Sequence, residues 1–292
     1  MAQPDSDVFV RLERFYDAVP RDAAVAEDIG GFVLFVRQGV GWPYYARPRL
    51  GTDTPSAADV TAVRRRQREV GAPESFEWVH ETMPDLLAVA RSAGLEVLLA
   101  PLMVLERAAL VPDLPLPGGA AIRFLDPAGP GFPADLNATR AVGQLGFGAA
   151  SPNGAEVLVT TLTTTIEPAG PRERDAMPPL SDEAVEEQRA RYSSGRFTGG
   201  VVESPTEGIL ASGIAQRVGD VAEIAGVATL PAARRRGYAS QLTASLARHS
   251  LQNGAELVFL SAGDDDVARL YSKVGFRRIG TACIAEPATA TL

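Results

Sequence analysis

The sequence predicts a mixed α/β fold in two units, and three observations carry that expectation. Residues 227–240 read as a strand, a basic glycine loop and the start of a helix, with a second strand–helix pair directly behind. The same order of elements recurs nearer the front, across residues 56–100. Between the two stretches, Val111-Pro-Asp-Leu-Pro-Leu-Pro-Gly-Gly119 favours extended chain over regular structure. The expected organisation is a front domain over residues 1–111, a linker over 112–119 and a second domain over 120–292.

In the front domain, residues 8–17 read as a helix. Gly31-Phe-Val-Leu-Phe-Val-Arg37 and Gly41-Trp-Pro-Tyr-Tyr-Ala46 read as strands. A helix over 56–70 carries Arg64, Arg65, Arg66 and Arg68, a pattern of a solvated face. Phe76-Glu-Trp-Val79 is a strand, and Pro84 opens a helix that Gly94 ends before the strand at 95–100. The aromatic residues Trp42, Tyr44 and Tyr45 read as packing. The second domain begins with a strand at 121–126 and a helix at 134–144. A helix at 182–192 and strands at 197–203 and 209–215 follow. Residues 146–180, with several prolines and a Thr160-Thr-Leu-Thr-Thr-Thr-Ile166 run, form a long connection.

The chemistry concentrates after residue 220. Gly237 can adopt backbone angles that other residues resist, and with no Cβ it lets main-chain N–H groups approach a ligand. The first N–H groups of the helix behind it have no internal partner, and the macrodipole adds positive charge there. Such a terminus suits a phosphate, and Arg234, Arg235 and Arg236 reinforce it. Leu242, Leu246 and Leu251 then mark one helical face, and a short apolar strand follows at 256–261. Asp264-Asp-Asp266 caps a helix over 267–274, with Gly275 at its end and Phe276 beyond.

Arg234-x-x-Gly237-x-Ala239 resembles the acyl-CoA loop, Arg/Gln-x-x-Gly-x-Gly/Ala, of the GNAT superfamily of N-acetyltransferases. Ala268-Arg-Leu-Tyr-Ser-Lys-Val-Gly-Phe276 is similar to that family's Leu-Tyr-x-x-x-Gly-Phe signature, and the two motifs come in the family's order. The resemblance runs over roughly residues 197–286 by element pattern. It implies acetyl-CoA as acyl donor and a primary amine as acceptor, a small molecule in the first instance. Backbone groups of Val227, Ala228 and Thr229 would hold the pantetheine arm. Amides of Arg235, Arg236, Gly237, Tyr238, Ala239 and Ser240 would hold the diphosphate. Tyr271 stands at the general-acid position, and Asp264 where many members carry a cofactor-contacting Asn. The region 146–180 often covers the acceptor in this family. Glu223 is the candidate base, and strand alternation puts Glu223, Ala225 and Val227 on one face.

The front domain repeats the order of a GNAT domain's second half: Gly94 aligns with Gly275, Leu95 with Phe276 and Trp78 with Phe259. The chemistry is missing there, since Ala90 stands opposite Tyr271 and Thr52-Asp-Thr-Pro-Ser56 replaces the loop. The expected fold is therefore an α/β mixed sheet with tandem GNAT-like acyl-CoA N-acyltransferase domains, the first degenerate. Two other readings stay open: a non-catalytic acyl-CoA-binding regulatory or scaffolding protein, and an ATP-binding domain that uses the arginine loop.

Composition narrows the classes. A chain of 292 residues with 46% hydrophobic and 22% charged residues has material for two cores. A net charge of -8 argues against nucleic acid as partner. The single Cys283 excludes an internal disulfide and fits the cytoplasm, and with two histidines a metal site is not expected. No apolar run has the length of a membrane span. A homo-oligomer stays among the alternatives.

Overall fold

The computed structural model describes residues 4–39, 43–148 and 168–288, so Trp42 and the Thr160-to-Ile166 run lie outside the described residues. The chain divides into two units. Met1–Val104, Ser261–Arg269 and Arg277–Leu292 make one, and Leu105–Leu260 with Leu270–Phe276 make the other. Among the described residues, no helix is long and apolar enough to cross a membrane.

The first unit opens with α1 (Pro4–Ala18), then β1 (Ala24–Ile29), β2 (Phe32–Arg37) and β3 (Arg47–Pro48), which form a three-stranded antiparallel sheet. β1 is half-exposed and carries Glu27 and Asp28, so no apolar pattern announces it. It pairs because the buried run of β2 lies alongside and Gly30 turns the chain at φ +55. Helix α2 (Ala57–Glu69) starts at Ser56 as a capping box. The Ser56 hydroxyl accepts from the Asp59 N–H, while the Asp59 carboxylate accepts from the Ser56 N–H at 2.8 Å. Its arginines are ion-paired: Arg64 and Arg68 with Glu74, and Arg66 with Glu27. β4 (Phe76–Val79), α3 (Leu86–Ser92) and β5 (Leu95–Leu105) follow. Phe32, Leu34, Val60, Val63, Trp78 and Leu86 bury against one another as this unit's core. Of the expected aromatic cluster, Tyr44 lies beneath the Arg37 guanidinium, 5.3 Å from its ring centre.

The second unit contains β6 (Ala121–Phe124), α4 (Phe132–Phe147), α5 (Pro171–Asp175), α6 (Asp182–Ser193), β7 (Phe197–Ser204), β8 (Gly208–Val218) and β9 (Val221–Thr229). Helix α7 (Tyr238–Gln252), β10 (Leu257–Ser261) and α8 (Asp265–Ser272) complete the run of motifs. Its strands lie in the order β10-β9-β8-β7-β6, with β10 parallel to β9 and the other pairs antiparallel. Alternation along the strands sets the layers. Gly200 and Gly213 pair across β7 and β8, and a Cβ on either would meet Leu246 of α7 within 3.2 Å. Their neighbours face the other way. Ser212 donates to the Thr139 carbonyl of α4, and Gly199 lies against Tyr192 of α6. Helices α4 and α7 thus cover opposite faces, and paired glycines let α7 close on the sheet.

The segment read as a linker is fastened down. Arg248 of α7 donates to the Val111 carbonyl at 2.7 Å and pairs with Asp113, and the Leu114 N–H donates to Gln241 at 3.0 Å. A 3-10 turn at Pro117–Gly119 leads into β6. Proline prevents regular structure here, but side chains of α7 satisfy the exposed backbone groups instead.

The last strand, β11 (Phe276–Pro287), returns to the first unit. Ala282, Cys283, Ile284 and Ala285 pair antiparallel with Val79, Trp78, Glu77 and Phe76, so β11 lies between β4 and β5. The units therefore differ from the sequential blocks 1–111 and 120–292, because the end of the chain groups with its beginning. Cys283 is fully buried there, and burial pushes its thiol up to about 12.

Candidate cofactor and acyl-transfer site

The β9–β10 ladder is short. It joins Val221, Ala222 and Glu223 to Leu257, Val258 and Phe259 and ends there, while β9 continues to Thr229. Beyond Glu223 this edge of β9 presents its amides and carbonyls to whatever enters between the strands, an arrangement that accepts an extended ligand as an added strand. On its other side β9 is bulged. Between Ala225 and Ala228 it has two residues, Gly226 and Val227, where β8 has only Gly213. Gly226 takes φ +61, as the first residue of this kind of bulge requires.

The bulge overturns one expectation from alternation. Val227 approaches Gly213 on the α7 face, whereas Ala228 faces Gly146 of α4. Gln216 has the same parity as Ser212, which faces α4, and it donates a hydrogen bond to Glu223 directly opposite. Glu223 and Val227 therefore lie on opposite faces. The extra residue resets the period, and the local Ala-Gly-Val is its only sequence signal.

From Thr229 the chain runs through a 3-10 turn at Pro231–Ala233 into the arginine loop. Arg235 (φ +66) and Gly237 (φ +80) are both left-handed, and Arg235 is the one non-glycine residue so disposed among the described residues. The amides of Tyr238, Ala239 and Ser240 lie ahead of the first helical bond of α7, from the Gln241 N–H to the Gly237 carbonyl. Two of the arginines brace the loop rather than point away from it. Arg234 donates to the Gly146 carbonyl, and Arg236 donates to the Ala232 carbonyl and lies 3.7 Å from Glu207. Arg235 is exposed. Thr229 Oγ1 is buried with no hydrogen-bond partner among the described residues, so the end of β9 still has a polar group to satisfy. These features fit an anionic, extended cofactor.

Tyr271 of α8 is 8% exposed, and burial pushes its phenol up to about 12. Its ring meets Phe276 edge-on at 6.2 Å. Gly275 is held at φ +117, and a Cβ there would lie 2.5 Å from the Ala109 carbonyl oxygen. The glycine of the Gly-Phe pair is thus required by a close backbone approach as well as by the helix end. Asp264 sits in the other unit, where its carboxylate accepts from the Val267 N–H at 2.8 Å and caps α8. That cap accounts for an acid at this position. The structure thus brings Val227 to Ser240, Glu223 and Tyr271 into one unit and leaves Asp264 outside it. Gln216 and Gly226 are additions that the motifs did not single out.

Residues 199–285 match the family described as FR47-like protein. A GCN5-related N-acetyltransferase from Kribbella flavida superposes with a TM-score of 0.65 at 19% identity, over 96% of each chain. The fold is that of the GNAT acetyltransferases. A GNAT-family structure from Novosphingobium aromaticivorans has a TM-score of 0.51 at 16% identity, over 94% of this chain and 95% of that one. A tandem GNAT protein from the clavulanic acid biosynthesis pathway has a TM-score of 0.52 at 11% identity, over 88% of this chain and 78% of that one. No curated protein matches the sequence.

Proposed function

We propose that the protein is an N-acetyltransferase that moves an acetyl group from acetyl-CoA to a primary amine by direct attack in a ternary complex. The observation that carries this reading is the continuous path from the unpaired edge of β9, across its bulge, to the left-handed loop before α7. The β9 backbone from Val227 to Thr229 holds the pantetheine, and amides from Arg235 to Ser240 hold the diphosphate. The acceptor is a small amine, the compartment is the cytoplasm, and the front unit is a copy that has lost its loop.

Each residue has a role that chemistry defines. An N–H near Val227, released from the ladder by the bulge, polarises the thioester carbonyl. Glu223, oriented by Gln216, accepts the amine proton directly or through a water. Tyr271 keeps its proton at working pH, because burial disfavours the phenolate. Full transfer from such a phenol to an ordinary thiolate is uphill by roughly 5 kcal/mol. Tyr271 therefore stabilises the departing sulfur as a hydrogen-bond donor.

The test is mass spectrometry of the purified chain incubated with acetyl-CoA and a library of primary amines. Acetylated product with release of free CoA is expected. Tight CoA binding without product across the library would favour the non-catalytic binding protein, and thermal stabilisation by ATP but not CoA would contradict the cofactor assignment.

A further inference from the structure

Four residues lie side by side across the sheet of the second unit. Phe197 of β7 pairs with Gln216 of β8, Gln216 with Glu223 of β9, and Glu223 with Phe259 of β10. Directly paired residues share a face, so this row sets a polar pair between two phenylalanines. Phe197 and Phe259 are buried, while Gln216 and Glu223 are half-buried. Gln216 Nε2 donates to the Glu223 carboxylate at 2.5 Å. A carboxylate only accepts, so the amide turns its nitrogen toward Glu223. The amide oxygen sits on the same carbon as that nitrogen, and it accepts no hydrogen bond from the described residues. Two acceptors, one charged and one neutral, therefore stand next to each other on half-exposed side chains.

Adjacent acceptors are satisfied together by one atom that carries at least two donors. A primary ammonium has three N–H groups, whereas a hydroxyl has one O–H and would leave an acceptor unpaired. We propose that Gln216 is a recognition residue for the acceptor substrate: its Oε1 accepts one N–H of the incoming ammonium while the Glu223 carboxylate accepts another. The inference rests on Glu223 being the base of the proposed reaction. One amide then serves two ends, orienting the carboxylate through nitrogen and reading the substrate through oxygen. The pair selects a primary ammonium over an alcohol of the same shape. The flanking phenylalanines sharpen that choice, because an acceptor left unpaired beside apolar rings costs more than one in water.

The experiment is a cycle between side chain and ligand on the full chain saturated with CoA, where no transfer can occur. Calorimetry gives the affinity of the library amine with the fastest turnover and of its N,N-dimethyl derivative, which keeps the charge but has a single N–H. Wild type should bind the derivative about tenfold more weakly, the worth of one hydrogen bond to a charged group. Gln216→Leu should bind the parent amine about tenfold more weakly and no longer discriminate it from the derivative, with CoA affinity unchanged. Gln216→Met repeats the measurement if the thermal midpoint of Gln216→Leu falls. If the apolar variants keep the parent affinity, or lose both ligands equally, the recognition role is overturned. Turnover of Glu223→Gln tests the base separately. A large loss there beside unchanged discrimination in the Gln216 variants leaves the base standing and removes Gln216. Full turnover of Glu223→Gln removes the base, and this inference with it.

Discussion

At the scale of single residues, the strongest claims concern atoms that have no alternative. Tyr271→Phe removes only an oxygen from a ring already packed on Phe276. It should lower kcat about a hundredfold, within the range for a positioned acid, and leave the calorimetric affinity for CoA unchanged. Gly275→Ala would drive a Cβ into the Ala109 carbonyl at a backbone angle alanine resists. It should destabilise the protein by about 3 kcal/mol, read from the denaturant midpoint. Arg235 separates main chain from side chain as the source of diphosphate affinity. Arg235→Gly and Arg235→Val both delete the guanidinium, but only valine resists φ +66, at a cost of about 1–2 kcal/mol. Arg235→Val should therefore bind CoA about five- to thirtyfold more weakly than Arg235→Gly. Equal affinities would show that the left-handed turn at Arg235 does not set the grip.

At the scale of elements, the sequence was most legible where a residue type has one structural use. Pro84 and Gly94 bracketed a helix, and Gly237 marked where α7 begins. Tyr271 and the arginine loop could be read because their spacing fits one fold. Two things could not be read. β1 has little apolar face of its own and exists because β2 pairs with it. The bulge at Gly226 shifts the face of every residue beyond it, and strict alternation misplaces Val227 against Glu223. The capping box of α2 also gives a prediction with a definite sign. The Ser56 N–H, then its hydroxyl, hold the Asp59 carboxyl below the usual carboxylate range. A depressed pKa adds stability above the unfolded-state value and loses it as pH falls through the folded-state value. Between about pH 5 and pH 3 the thermal midpoint of the wild type should therefore fall more steeply than that of Asp59→Asn.

At the scale of the whole molecule, the chain's order and its units do not coincide. The terminal strand β11 completes the unit that α1 begins, and places Cys283 against β4. A boundary drawn at the proline-rich stretch marks the change of composition, but no local signal says where a strand from the far end will pair. The first unit's own charge cluster shows how closely it is built. Arg47 is 3% exposed, 2.5 Å from Glu77 and 3.3 Å from Glu13, and lies over the Tyr16 ring. Arg47→Met would strand two carboxylates in the interior, and should cost about 3–5 kcal/mol of unfolding free energy by denaturant titration. The second unit, by contrast, leaves an edge of β9 and a turn of α7 open for a ligand. In the first unit, Ser56 and Asp59 satisfy the start of α2 from within.

The most direct test is a calorimetric titration of the full chain with CoA, with ATP as the control. Saturable heat with CoA is expected, with far weaker binding of ATP, which lacks the pantetheine assigned to β9. No heat with CoA at millimolar concentration, or ATP binding as tightly as CoA, would contradict it.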